Sequence, residues 1–223
     1  MSEQTISPPP AVTRKPGRID GRRLRSERTK QLIVEAYLAL LRGGNRNPTA
    51  AQTAERAGYS VRSVFERFPD LHALRVMATD YSLSQAAALA PARHVGADRA
   101  TRIKSQVETR AGTCERGVLM WRMLLNFQEG SDELHKRVIV GRERSMMRLE
   151  LMYAPELSTL AEGPRKQLLI ALEAITDMES WARMRDYYKL SVEESCALWM
   201  HIIDRLLPPT PSQPPSPSEG AGA

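Results

Sequence analysis

Along most of this chain, apolar residues recur at spacings of one, three and four, the period of helices that pack by one face. Between Ser26 and Arg42 the stripe is Ile33, Ala36, Tyr37, Leu40 and Leu41, and Gly43 and Gly44 terminate it. A second helix is expected from Thr49, where Thr49 and Gln52 fit a capping box that satisfies free backbone N–H groups. Gly58 suits its left-handed C-cap, because glycine enters that conformation without steric cost. Ser60 caps a third helix, Val61 to Phe68; Pro69 ends it, and Asp70 caps the next, beginning near Leu71. The shortness of the link from Gly58 to Ser60 favours a helix-turn-helix over an ordinary antiparallel hairpin.

The third helix carries the chemistry. At about 100° per residue, Val61, Val64, Phe65 and Phe68 fall in one apolar arc roughly 100° wide, which is expected to face the core. Arg62, Ser63, Glu66 and Arg67 take the opposite face. A short helix with a buried stripe and an outward face of arginine and hydroxyl groups suits the major groove of double-stranded DNA. Arg62 is the candidate for base edges, Ser63 and Arg67 for bases or phosphates, and Thr49 and Ser60 for positioning on the backbone.

The remainder is also helical, so the fold class expected is all-α. Leu71 to Leu89 forms a connecting helix, and Pro91 to Ala97 breaks the pattern. A stretch from Arg99 to Phe127 follows, interrupted at Gly112 and Gly117, then Asp132 to Tyr153, with a loop bracketed by Pro155 and Pro164. The last two helices are placed at Arg165 to Tyr188 and Ser191 to Leu207, where Ser191 and Glu194 form a second capping box. Both ends of the chain are proline-rich and poor in large apolar residues, and cannot bury enough surface to offset the entropy of ordering them. The expected division is a disordered basic arm over 1–24, a helix-turn-helix DNA-binding domain over 25–70, a helical regulatory and dimerisation domain over 71–207, and a disordered tail over 208–223.

Charge strengthens the nucleic-acid reading. The chain of 223 residues carries a formal net charge of +6, and the arm from Arg14 to Lys30 is rich in arginine. That arm is either solvated or in contact with phosphates or a minor groove. The net charge would also suit a membrane surface, but no apolar run is long enough to span one, and no membrane partner is expected. Cys114 and Cys196 are isolated and imply neither a disulfide framework nor a zinc site, so a reducing cytoplasm is the expected setting. His72, His94, His135 and His201 fit no metal spacing, and no phosphate loop or catalytic constellation is present. No cofactor, metal or catalytic residue is therefore expected.

Two stretches, RTKQLIVEAYLALL and PTAAQTAERAGYSVRSVFERFPDLHAL, resemble the DNA-binding domain of the TetR (tetracycline-repressor-like) family of bacterial transcription regulators. Ala57, Gly58, Tyr59, Ser60, Ser63, Val64, Phe65 and Phe68 fill that family's pattern. Phe65 stands where a tyrosine is usual, and the resemblance places it, without the phenolic hydroxyl, among the residues expected to meet DNA; Leu71 stands where a lysine often meets the DNA backbone. Arg67 replaces an aromatic or histidine. Phosphate contacts are then redistributed, with Arg67, His72 and the basic arm as candidates.

The resemblance implies a homodimer that reads a near-palindromic operator and is released by a small-molecule effector. MESWARMRDYYKLSVEESCALW is similar to the C-terminal helices of one subgroup of the family. It implies a four-helix dimer interface through Leu168, Leu172, Ile175, Leu198, Ile202 and Leu206, against the plainer reading that these residues fill the core. A Met- and Trp-rich region, Met120, Trp121, Met123, Phe127, Met146 and Trp181, is the candidate pocket for an apolar or aromatic effector, with ordinary core as the competing reading. The alternative function is a helical protein-interaction module with weak or non-specific DNA binding.

Overall fold

The computed structural model describes residues 21–212, and every regular element among them is helical. In chain order they are α1 (Gly21–Arg42), α2 (Ala50–Ala57), α3 (Val61–Phe65), α4 (Leu71–Leu89), α5 (Arg99–Phe127), α6 (Asp132–Met152), α7 (Ala154–Leu157), α8 (Glu162–Ile175), α9 (Met178–Ala182) and α10 (Val192–Leu206). Nearly all of the expected arm, and the tail beyond Ser212, lie outside the described residues. Where the two meet the fold, the structure differs from expectation. α1 begins at Gly21 and so takes in Arg23 and Arg25, because nothing between Gly21 and Ser26 breaks a helix and the side chains of Arg23, Leu24 and Arg25 face solvent. Beyond α10 the chain stays attached: the guanidinium of Arg99 donates to the carbonyls of Leu207 and Pro208, and Thr210 donates its hydroxyl to Glu156.

Local chemistry sets the caps as the sequence predicts. Thr49 and Gln52 close both halves of a capping box, Gly58 ends α2 at φ 72°, and Ser60, Asp70 and Ser191 cap α3, α4 and α10. α5 runs unbroken through Gly112 and Gly117, since the cost of a helical glycine, about 1 kcal/mol, is small beside the burial of this central helix against α1, α4, α6, α9 and α10. The helix expected over Arg165 to Tyr188 is two. α8 stops at Ile175, and Asp177 restarts the chain by accepting the Ser180 amide at 2.6 Å. Pro164 lies in the first turn of α8, where its missing N–H costs nothing.

Two cores result. The upper one joins Ile33, Tyr37 and Leu41 of α1, Val64 of α3, Phe68 and Leu74 to Trp121 and Leu124 of α5 and Leu134 and Val138 of α6. The helix-turn-helix is thus packed directly on the larger helical bundle, with no break in the apolar interior at residue 70. The lower core gathers Ile103, Val107, Leu149, Leu172, Trp181 and Trp199, the two indoles lying 4.8 Å apart. Between them and the base of the molecule, Arg102 and Glu156 form a two-pronged ion pair at 2.6 and 2.7 Å with both side chains almost wholly buried.

Candidate nucleic-acid interface and the adjoining cavity

α3 is held by its caps and by one narrow apolar edge. Val64 and Phe68 are buried, and the Phe68 amide bonds the Val64 carbonyl at 2.9 Å, continuing the turn beyond Phe65. Val61 and Phe65, expected on the same buried arc, are 40% and 46% exposed. The arc is centred on Val64 and Phe68, so its other edge projects outward. The outer face of α3 therefore combines a bare aromatic ring with arginine and serine.

On that face the Arg62 side chain is 88% exposed and pairs with Glu66 at 3.0 Å. Arg67 bridges the same carboxylate at 3.2 Å and donates to the Ser63 carbonyl, while its Nε is buried without a partner among the described residues. The two arginines hold the Glu66 carboxyl below its ordinary value, the hydrogen bond from Arg62 being the larger influence. Ser60 accepts the Ser63 amide, and the two hydroxyls lie 3.1 Å apart. Thr49 is exposed, with its hydroxyl engaged by Gln52. Of the six residues expected to meet DNA, Thr49, Ser60, Arg62 and Phe65 are exposed, while Ser63 and Arg67 are half-buried. Glu66, the carboxylate that pairs Arg62 and Arg67, is visible in sequence only as a polar position.

His72 does not join this face. Its Nε2 lies 3.0 Å from Glu133 on α6, so it ties the start of α4 to the bundle. Arg75 of α4 stacks over the ring of Phe127 at 3.9 Å and donates to Asn47 at 3.0 Å. Arg137 clamps Asp80 with two bonds of 2.7 Å. α4 is therefore fastened both to the helix-turn-helix and to α5 and α6.

Below that junction lies an open-sided cavity of about 620 Å³ bordered by α1, α4, α5, α6 and the α8–α9 corner. Of the residues expected to line a pocket, Met120 and Trp121 do so. The other four sit elsewhere. Met123 is 2% exposed in the upper core, Phe127 carries the Arg75 guanidinium, Met146 packs against the lower core, and Trp181 packs against Trp199 with the two rings tilted by 51° and donates to Glu115. A cluster of soft apolar side chains fills space as readily as it leaves space, and here most of it fills.

The cavity exists instead because the facing half of α4, Ser82 to Ala90, carries small residues such as Ala86 and Ala87 that leave room opposite α5. Gly141 contributes in a different way. A Cβ there would lie 2.9 Å from the Trp121 ring, so the indole rests directly on the α6 backbone. Six arginines, Arg42, Arg110, Arg116, Arg142, Arg144 and Arg148, border the cavity against the three carboxylates Glu35, Glu173 and Asp177. Periodicity carries no signal for that convergence, because the residues come from four separate helices.

The expected interface residues divide as well. Leu172 is fully buried in the protomer's own core, and Leu168 and Ile175 are half-buried against it. Leu198 and Leu206 are 40% and 42% exposed on α10, Ile202 is half-buried, and Ile170 of α8, which sequence reasoning passed over, is 52% exposed. The wheel of α8 identifies one apolar face, but Ile170 lies on the other. Cys114 and Cys196 are both buried and unpaired, and burial pushes the Cys114 thiol up to about 11. Among the described residues no three His, Cys, Asp or Glu side chains group to hold a metal ion, and no helix is long and apolar enough to cross a membrane.

No family model and no curated protein matches the chain. Among solved structures, a protein of Rhodococcus sp. described as a TetR-family transcriptional regulator superposes with a TM-score of 0.62 at 16% identity, over 81% of this chain and 99% of its own. A protein of Streptomyces coelicolor A3(2), described as a transcriptional regulator, superposes with a TM-score of 0.55 at 19% identity, over 81% of this chain and 98% of its own. The similarity extends through both the helix-turn-helix and the larger bundle, and at these identities it is one of fold.

Proposed function

We propose that this chain is a sequence-specific transcription regulator that acts as a homodimer, represses from a near-palindromic operator, and is released when a small molecule occupies the cavity. The observation that carries the reading is the outer face of α3, where Arg62 and Phe65 are exposed, with half-buried Ser63 and Arg67 beside them, on a segment anchored by Val64 and Phe68. Arg62 is long and exposed enough to reach a guanine edge, and Phe65 supplies the apolar surface that meets a thymine methyl group. Thr49 and Ser60 fix the register against backbone phosphates. Glu66 keeps the two arginines paired off DNA, and phosphate or base contacts replace it on DNA.

Dimerisation is assigned to α8 and α10, through Ile170, Leu198, Ile202 and Leu206, which are among the apolar side chains these packed helices leave at least partly uncovered. Leu172 belongs to the core beneath. Two copies so joined present two α3 helices to half-sites one DNA turn, about 34 Å, or a multiple of it apart. The cavity is bordered by α1 as well as α4, and α4 is fastened to both domains, so an occupant favouring one arrangement of α4 biases the spacing of the recognition helices.

The test is retention of genomic fragments by the purified chain at moderate salt, followed by footprinting. Two protected half-sites in inverted orientation, bound at least about a thousandfold more tightly than random DNA, are expected. Binding that follows salt alone, with no preferred footprint, removes this reading.

A further inference from the structure

We propose that the cavity takes an amphipathic organic anion, an apolar body ending in one carboxylate or an acid group of similar size, with that acid group paired by Arg110 and Arg148. The proposal rests on the reading of the cavity as an effector site and names the chemistry of its occupant. The walls are divided to suit such a molecule. Leu38, Leu83, Met120, Trp121 and Met178 supply apolar surface, while arginines outnumber carboxylates two to one.

The carboxylates present are already engaged. Glu35 accepts from Tyr81 at 3.0 Å and from Gln31 at 2.9 Å, Glu173 faces Arg142 at 3.7 Å, and Asp177 caps the Ser180 amide. Arg110 and Arg148 have only neutral partners among the described residues. Arg110 donates to the Thr176 carbonyl at 2.8 Å; Arg148 donates to the side-chain oxygen of the buried Gln106 and to the carbonyls of Ala90 and Pro91. Such acceptors orient a guanidinium without neutralising it. Burial and, after it, the charge of Arg110 both act against the charge on Arg148. A ligand anion relieves both effects, an uncharged ligand relieves neither, and a cation worsens the second.

The same geometry connects occupancy to the DNA-binding unit. Ala90 is the residue that ends α4, and Arg148 holds its carbonyl from α6. An acid group drawn to Arg148 competes for the donors that fix the end of α4, the helix whose other end follows α3.

The experiment is calorimetric titration of the full chain, without DNA, with decanoate, decan-1-ol and decylammonium, which share one apolar body. Decanoate binding at least ten times tighter than the alcohol, with the ammonium weakest, is expected. Arg110→Gln and Arg148→Gln should each lower decanoate affinity at least tenfold and leave the alcohol unchanged. Equal binding of the three, preference for the alcohol or the ammonium, or no decanoate binding at millimolar concentration overturns the proposal. The head-group comparison needs no variant, so it decides the matter even if a glutamine variant fails to fold. A parallel arm follows release of a footprinted duplex: decanoate that binds with the stated preference but leaves DNA affinity unchanged supports the anion site and counts against the regulatory reading.

Discussion

The hydroxyl of Tyr81 on α4 donates to the carboxylate of Glu35 on α1 at 3.0 Å, and both residues border the cavity. One hydrogen bond thus joins α1, which packs on the helix-turn-helix, to α4, which borders the cavity. Because its acceptor is charged, the bond raises the tyrosine's pKa, as the bond itself and then desolvation disfavour the phenolate. Tyr81→Phe should lower stability by about 1 kcal/mol, seen as a lower denaturant midpoint at unchanged slope. It should also shrink the ratio of DNA dissociation constants measured with and without effector. An unchanged ratio would place the coupling elsewhere on α4.

Gly141 sets the wall of the cavity. In Gly141→Ala the new methyl group meets the Trp121 ring at 2.9 Å, and the indole must move toward the cavity. Overpacking costs about 1 to 3 kcal/mol, against about 1 kcal/mol recovered from helix propensity. The expected outcome is a net loss of at most about 2 kcal/mol in stability with weaker binding of any cavity ligand, measured by thermal unfolding and titration. Ligand affinity at the original level would show that the Trp121 side of the cavity is not used.

Glu66 restrains both arginines of the reading face. Glu66→Gln removes that restraint and, on the proposed function, a negative charge that faces DNA. Affinity for random duplex should rise, and the salt dependence of binding should steepen, because counterion release follows the number of phosphates neutralised. The ratio of specific to random binding should fall. Fluorescence anisotropy over a salt series reads all three.

The buried pair at the base of the bundle gives a pH dependence. Burial alone would raise the Glu156 carboxyl, but the hydrogen bonds from Arg102 and Thr210 outweigh it and hold the carboxyl below 4.5. A carboxyl lowered in the folded state contributes stability that is complete above its unfolded value and is lost as pH falls through its folded value. Stability should therefore decline below about pH 4.5. Glu156→Gln strands the Arg102 charge, which is 2% exposed, and should cost about 3 to 5 kcal/mol at neutral pH while flattening the acid limb. Guanidinium melts of both proteins at pH 7 and pH 4 measure this.

Much of the fold was legible because its signals are local. Thr49 with Gln52, Gly58, Ser60, Asp70 and Ser191 with Glu194 each act within four residues, and the caps they predict are present. α4 spans Leu71–Leu89, where its periodicity placed it. The division at Thr176 and Asp177 is equally local, but a dense apolar stripe on both sides hid it. What sequence reasoning missed depends on which of two apolar edges a helix buries. Phe65 and Val64 are neighbours on one arc, yet only Val64 is covered; Leu172 and Ile170 are both apolar on α8, yet only Leu172 is core. The cavity was least legible, since Arg110 and Arg148 lie 38 positions apart in sequence and are brought to one site only by the packing of α5 on α6.

The central claim is that α3 reads DNA in a symmetric pair, and selection of duplexes from a random pool by the wild-type chain and by Arg62→Ala, side by side, tests it most directly. The wild type should recover an inverted repeat whose half-sites are centred about one helical turn, or a multiple, apart. Arg62→Ala should recover the same repeat with one position per half-site relaxed and specific affinity weaker by about 1 to 3 kcal/mol. Two pools with no shared sequence, or identical motifs of equal affinity from both proteins, would contradict it.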